Sequence, residues 1–129
     1  MESRLRIRMS DRDVHYGGNL VPAARCMELF GDAATELAIR DNEDEGLLAG
    51  YESVEFLAPI YGGDFIEIVG VVEREGNRSR RCRFEAYKVI ASDPEAGDSK
   101  AVCLEEPVLV ARAIGTFVLP KGSDHVTGH

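Results

Sequence analysis

The sequence has no tryptophan, only three cysteines, and nine aromatic side chains split between five Phe and four Tyr. No apolar run approaches the ~20 residues that a bilayer-crossing helix needs, so a membrane span is excluded. Cations are scarce as well. Fifteen Lys and Arg stand against 23 Asp and Glu, for a formal charge of -8 and a pI near 4.9. An acidic surface repels polyanions, which argues against nucleic acid or anionic lipid as a partner. Cys26, Cys82 and Cys103 are odd in number, far apart and set inside apolar patterns. They read as reduced thiols of a cytoplasmic protein rather than a disulfide framework. Met1 to Met9 lacks the apolar block and small-residue cleavage site of a secretory signal. There is no C-x-x-C pair, no H-E-x-x-H and no Walker-type glycine loop, so no metal site is expected.

What is present fits one domain over 1–129, with 120–129 as a flexible tail. Leu5, Ile7 and Met9 alternate with polar residues, the period of a half-solvated strand. A polar, glycine-containing loop follows, and then the strongest periodicity in the chain, from about Leu20 to Arg40. At 100° per residue, Cys26, Phe30, Ala33, Ala34, Leu37 and Ala38 share one arc with Leu20, Ala23, Ala24 and Met27. Arg25, Glu28, Asp32 and Glu36 fall opposite. Pro22 suits a first helical turn and Asn19 a cap. Beyond the acidic segment 41–46 the patterns are those of strands: 47–60, 65–73, 80–90 and 107–119, with a hairpin signal at Glu75-Gly76-Asn77 and a polar loop over 93–100. One long helix among five or six long strands buries its apolar arc by being wrapped in a curved antiparallel sheet, an α+β architecture.

Three groups of residues carry possible chemistry. The first is D-R-D-V-H-Y-G-G-N-L-V-P, residues 11–22, where His15 and Tyr16 precede Gly17, Gly18 and Asn19 at the expected start of the helix. Unsatisfied N–H groups and the helix dipole stabilise a developing negative charge there. A tight loop with no function is the equally weighted alternative. The second is the carboxylate stripe Glu28, Asp32 and Glu36, at spacing four. A solvated face explains it more simply; lining a cleft, mutual repulsion would turn one member into a base. The third is Arg78, Ser79, Arg80 and Arg81, which suits phosphate or, more plainly, a charged strand edge.

Taken together, H-Y-G-G-N-L, S-V-E-F-L-A-P-I-Y-G-G-D, G-N-R-S and A-R-A-I-G-T-F-V-L-P resemble the hotdog fold of acyl-CoA thioesterases and dehydratases. The resemblance covers residues 3–120. The run from His15 to Arg40, with D-E-G-L and L-E-E-P-V-L-V-A-R-A, is most similar to the 3-aminobutyryl-CoA ammonia-lyases of lysine fermentation, relatives of the β-alanyl-CoA enzymes. Eight positions after Gly17, where many hotdog thioesterases carry an acidic residue, this chain has Arg25.

The resemblance implies reversible loss of ammonia from L-3-aminobutyryl-CoA to give crotonyl-CoA. It also implies a hotdog homodimer, assembled further, with sites at the dimer interface. Coenzyme A is part of the substrate and no other cofactor is implied. His15, Glu28 or Asp32 is then the candidate base, with a second carboxylate holding the departing ammonium and Tyr16 donating to either centre. The amides around Gly17, Gly18 and Asn19 stabilise the enolate, and Arg78 to Arg81 bind the CoA tail. A thioesterase of the same fold and a non-catalytic acyl-CoA-binding module are the competing readings.

Overall fold

The computed structural model describes residues 1–120. The tail expected over 120–129 lies, apart from Pro120, outside the described residues. Five strands form one antiparallel sheet: β1 (Glu2–Arg8), β3 (Leu47–Phe56), β5 (Phe65–Glu75), β6 (Ser79–Ser92) and β7 (Ala101–Val118), in the order β1-β5-β6-β7-β3. Two short strands, β2 (Leu20–Val21) and β4 (Ile60–Tyr61), pair as a separate ribbon. The single helix, α1 (Ala24–Asn42), lies chiefly across β5 and β1. This is the architecture that the sequence implies.

The helix approaches the sheet closely because both surfaces are trimmed where they meet. Ala33, Ala34 and Ala38 face inward, and a Cβ on Gly70 of β5 would stand 3.3 Å from the Ala33 methyl. Phe30 stacks on Phe84 of β6 at 5.4 Å between ring centroids. Leu29, Leu37, Ile66, Ile68 and Phe117 complete a fully buried core. At the far end, Glu43 adopts a left-handed conformation and donates its N–H to the Ile39 carbonyl, which stops the helix.

Three boundaries differ from expectation. The strand expected over 47–60 stops at Phe56, with Ile60 in the separate β4. Leu20 and Val21 are strand, not helix, and α1 begins at Ala24. The cause is Pro22, whose ring disfavours helical geometry at the preceding residue. Asn19 is therefore no cap: it sits at φ 64° and its Nδ2 donates to the Gly62 carbonyl at 3.3 Å, while the residue at the cap position is Ala23. The last strand starts at Ala101, six residues before Pro107. The register with β6 jumps between Lys88/Val108 and Ile90/Cys103, so the proline sits in an irregular stretch that requires no N–H from it.

The outward face of the sheet pairs five of the twelve arginines with glutamates. Glu67 joins Arg4 and Arg6, Glu73 joins Arg81 and Arg83, and Glu55 joins Arg112.

Candidate active site

The loop before α1 folds back on itself. His15 and Tyr16 both donate backbone N–H to the Leu20 carbonyl, so residues 17–19 form a three-residue tip with Gly18 and Asn19 at positive φ. A side chain on Gly17 or Gly18 would meet nothing within 4 Å. Among the described residues, none of the three tip amides has an acceptor. The loop is also tied to the helix. Arg25 Nε lies 2.9 Å from Asp13 Oδ1, an ion pair rather than an aligned hydrogen bond, and Asp13 accepts from Ser10 N at 2.7 Å and Ser10 Oγ at 3.2 Å.

Against this loop stands a second wall, residues 56–60. Leu57 and Ala58 both donate to the Val110 carbonyl at 2.8 and 3.3 Å, which ties the wall to β7. Lys88 Nζ donates to the Pro59 carbonyl at 2.9 Å and pairs with Asp64, whose other contacts are the Tyr61 and Ser92 amides. Between the walls is a cleft of about 530 Å³. One side is Tyr16, Leu20, Val21, Pro22, Ala23 and Cys26; the other is Phe56 to Ile60 with Val110 and Ala111 behind. It is mainly apolar, and Tyr16 and the start of α1 at Ala23 border it. Arg25 and Cys26 already donate to Pro22 and Ala23, while Ala23 and Ala24 have no acceptor among the described residues. Partial positive charge at a helix start counts for more beside low-dielectric walls.

Cys26 in the cleft floor is no nucleophile, because burial pushes its thiol up to about 11. His15 stacks edge-on against Tyr16 at 4.9 Å and is exposed. Glu28 and Asp32 lie on the exposed stripe of α1, outside the cleft lining; Glu28 is 3.8 Å from Arg25. Within one chain the structure thus brings together Tyr16 and the helix-start amides, but not the carboxylates.

The basic group at 78–81 stands elsewhere. Arg80 is a correction: it is 1% exposed, with Nε 3.0 Å from Asp41 Oδ2 and Nη1 donating to the Gly76 and Ser79 carbonyls. Its guanidinium serves the fold and is closed to a phosphate. Arg81 donates Nε and Nη2 to Glu52, both at 2.9 Å, and Nη1 to Glu73 at 3.1 Å. Asp41 lies in the last turn of α1 and Ala23 precedes the first, so this hairpin is about 27 Å along the helix from the cleft. Arg78 is exposed at the hairpin tip and Ser79 half-buried beside it, at that same distant end. What sequence reasoning missed is the wall at 56–60 with Val110 and Ala111. Its only local signal is the break in alternation at F-L-A-P, where the strand ends at Phe56 on the edge of the cleft.

No family model matches the chain. A 3-aminobutyryl-CoA ammonia lyase of Acetoanaerobium sticklandii is 52% identical over 121 residues, which span 94% of this chain and 96% of that protein. The solved structure of the β-alanyl-CoA:ammonia lyase from Clostridium propionicum superposes with a TM-score of 0.92 at 38% identity, covering 100% of this chain and 92% of the other. A hexameric hotdog-fold thioesterase of Campylobacter jejuni shares the fold at a TM-score of 0.71 and 18% identity, over 95% of this chain and 86% of its own. The single helix on a five-stranded sheet is thus the hotdog fold. With 52% identity over 94% of its length to such an enzyme, the chain belongs to the 3-aminobutyryl-CoA ammonia lyases, carbon–nitrogen lyases of that fold.

Proposed function

We propose that the chain is an aminoacyl-CoA ammonia-lyase whose substrate is L-3-aminobutyryl-CoA, converted reversibly to crotonyl-CoA and ammonia. The observation that carries the reading is the mainly apolar cleft bordered by Tyr16 and the start of α1, whose dipole suits a developing negative charge on a thioester oxygen. Elimination removes the proton next to the thioester carbonyl, gathers charge on that oxygen as an enolate, and expels the amine from the next carbon as it is protonated. The amide of Ala23 at the helix start, with those of Gly17 and Gly18 at the loop tip next to Tyr16, donates to the oxygen, whereas Asn19 faces a neighbouring crevice. Tyr16 donates to the same centre or to the leaving amine. The thioester itself makes the α-proton acidic, so coenzyme A enters as part of the substrate and no redox or pyridoxal group is required.

The base is His15, Glu28 or Asp32, and the arrangement favours a carboxylate delivered by a second copy. Around the cleft mouth Tyr16 is 54% and Phe56 51% exposed, with Leu57 and Tyr61 beside them. Next to this apolar rim runs β3, the terminal strand of the sheet, whose outer edge has no partner among the described residues. Paired edges would cover both liabilities at once. The unit is then a homodimer of a larger homo-oligomer, acting in amino-acid fermentation in the cytoplasm; no described helix is long and apolar enough to cross a membrane.

Incubation with crotonyl-CoA and ammonium tests the reaction directly. Formation of the aminoacyl-CoA by mass, without release of free thiol to a disulfide reagent, is expected. Rapid thiol release without the adduct would establish a thioesterase instead.

A further inference from the structure

We infer that the crevice between the end of β1, the Gly62–Gly63 turn and the loop 93–100 binds the phosphate groups at the nucleotide end of coenzyme A, resting on the aminoacyl-CoA reading above for the ligand's identity. The crevice has a volume of about 390 Å³ and a mostly polar lining. Two cations face it, Arg8 from β1 and Lys100 at the end of the 93–100 loop. Both are exposed, and neither has a carboxylate partner among the described residues, in a chain that pairs Arg4, Arg6, Arg81, Arg83 and Arg112 with glutamates. In a chain with net charge -8, these two cations balance the two carboxylates of the recess, Asp11 and Asp98, without being ion-paired to them. Guanidinium and ammonium groups with no ion-pair partner are the natural donors to an anionic ligand.

Position identifies the ligand. The crevice and the cleft share the β2–β4 ribbon as a partition: Leu20 and Ile60 line the cleft, Asn19 and Gly62 the crevice. Ile60 and Gly62 are two residues apart, about 7 Å of chain. A thioester seated in the cleft therefore has its pantetheine arm leaving past Tyr61 toward Arg8 and Lys100, whereas the 78–81 hairpin lies at the other end of α1. The ribbon is rigid enough to hold the two sites in register, since Gly62 N donates to Asn19 O at 3.0 Å and Gly63 N to Met9 O at 2.7 Å. Ser92 and Ser99 add hydroxyl donors to the recess. Asp11 and Asp98 also line it and oppose a phosphate, which gives the inference a second, opposite-signed consequence.

The test compares crotonyl-CoA with crotonyl-pantetheine as acceptors of ammonia in wild type and in Arg8→Ala, Lys100→Ala and Asp98→Asn. Arg8→Ala and Lys100→Ala should each raise KM for the CoA ester about tenfold, as expected for loss of a charge-assisted contact. Both should leave kcat within about twofold and the pantetheine ester unaffected. Arg8→Lys should recover part of the loss. Asp98→Asn should lower KM for the CoA ester, and added salt should raise it for that ester alone. Arg74→Ala, exposed at the other end of β5, should change nothing. Unchanged KM in Arg8→Ala and Lys100→Ala, or equal shifts for both esters, overturns the assignment. Should wild type form no adduct with either ester, the lyase reading fails and titration calorimetry with coenzyme A and pantetheine decides the crevice. Weaker binding of coenzyme A alone in the two variants upholds it, and unaltered binding overturns it.

Discussion

Removing the Arg80 guanidinium separates a structural role from a ligand-binding one. Arg80→Leu keeps much of the side-chain volume but takes the guanidinium away from Asp41, itself buried at the end of α1, and from the Gly76 and Ser79 carbonyls. Breaking one partner of a buried ion pair costs about 3–5 kcal/mol, because the remaining charge stays desolvated. In a domain of this size each kcal/mol lowers the melting temperature by about 4 °C, so a fall of about 12–20 °C is expected. Replacing both partners, Arg80→Leu with Asp41→Leu, removes the remaining charge and should recover about half of that loss, a coupling readable from the double-mutant cycle. Urea unfolding followed by circular dichroism gives all four stabilities, and KM for crotonyl-CoA is measured in parallel. A variant that stays within about 1 kcal/mol of wild type while its KM for the CoA ester rises would refute the reasoning and return Arg80 to the phosphate-binding role.

Tyr16→Phe should lower kcat about 100-fold, the range for loss of a positioned acid, with an unchanged melting temperature because the side chain is half exposed. An equal loss in stability would make the hydroxyl structural. Iodoacetamide at pH 8 should modify Cys103 alone in the folded protein and all three thiols in denaturant, since Cys103 is exposed while burial pushes Cys26 up to about 11 and Cys82 to about 12; mass spectrometry counts the adducts, and two or three on the native chain contradicts the burial. A hydrogen bond from Arg6 holds the Glu67 carboxyl below the usual carboxylate range, with Arg4 adding to the effect. A folded-state value below the unfolded one means that this pair stabilises fully above about pH 4.3 and loses its contribution as acid protonates the folded form, so Glu67→Gln should lower the urea midpoint at pH 7 and converge with wild type in strong acid.

The helix was readable because its signal is local. Phe30, Ala33, Ala34, Leu37 and Ala38 recur at the helical period, and no strand could hide them on one face. Its start was misread because Leu20 and Val21 have the right hydrophobicity, and the conformational restraint that Pro22 imposes on Val21 outweighs it. The buried Arg80 had a legible signal that its charge obscured. In a period of two it shares a face with Cys82, Phe84 and Ala86, so the alternation alone turns it inward. The cleft is different in kind. Its walls join residues 16–26 to 56–60 and 110–111, and no window of sequence contains that adjacency. The fate of Arg81 and Arg83 was hidden for the same reason, since their partner Glu73 lies across a hairpin register that the turn decides.

Subunit mixing puts the shared site to its strictest test. In one chain Tyr16 lines the cleft while Glu28 and Asp32 stand on an exposed helical stripe outside it. Let Tyr16→Phe and whichever of Glu28→Gln or Asp32→Asn abolishes turnover be purified separately, each inactive. In a mixed dimer, a site that takes Tyr16 from one copy and the carboxylate from the other is intact once and doubly damaged once. Random exchange makes half of the dimers mixed, so recovery of about a quarter of wild-type activity is expected after brief dissociation and reassociation. A site complete within each chain cannot be rebuilt this way, because every copy in the mixture carries a lesion in its own cleft. Persistent inactivity, with exchange verified by native mass spectrometry, would move the base into the same chain and leave His15 as the candidate nearest the tyrosine.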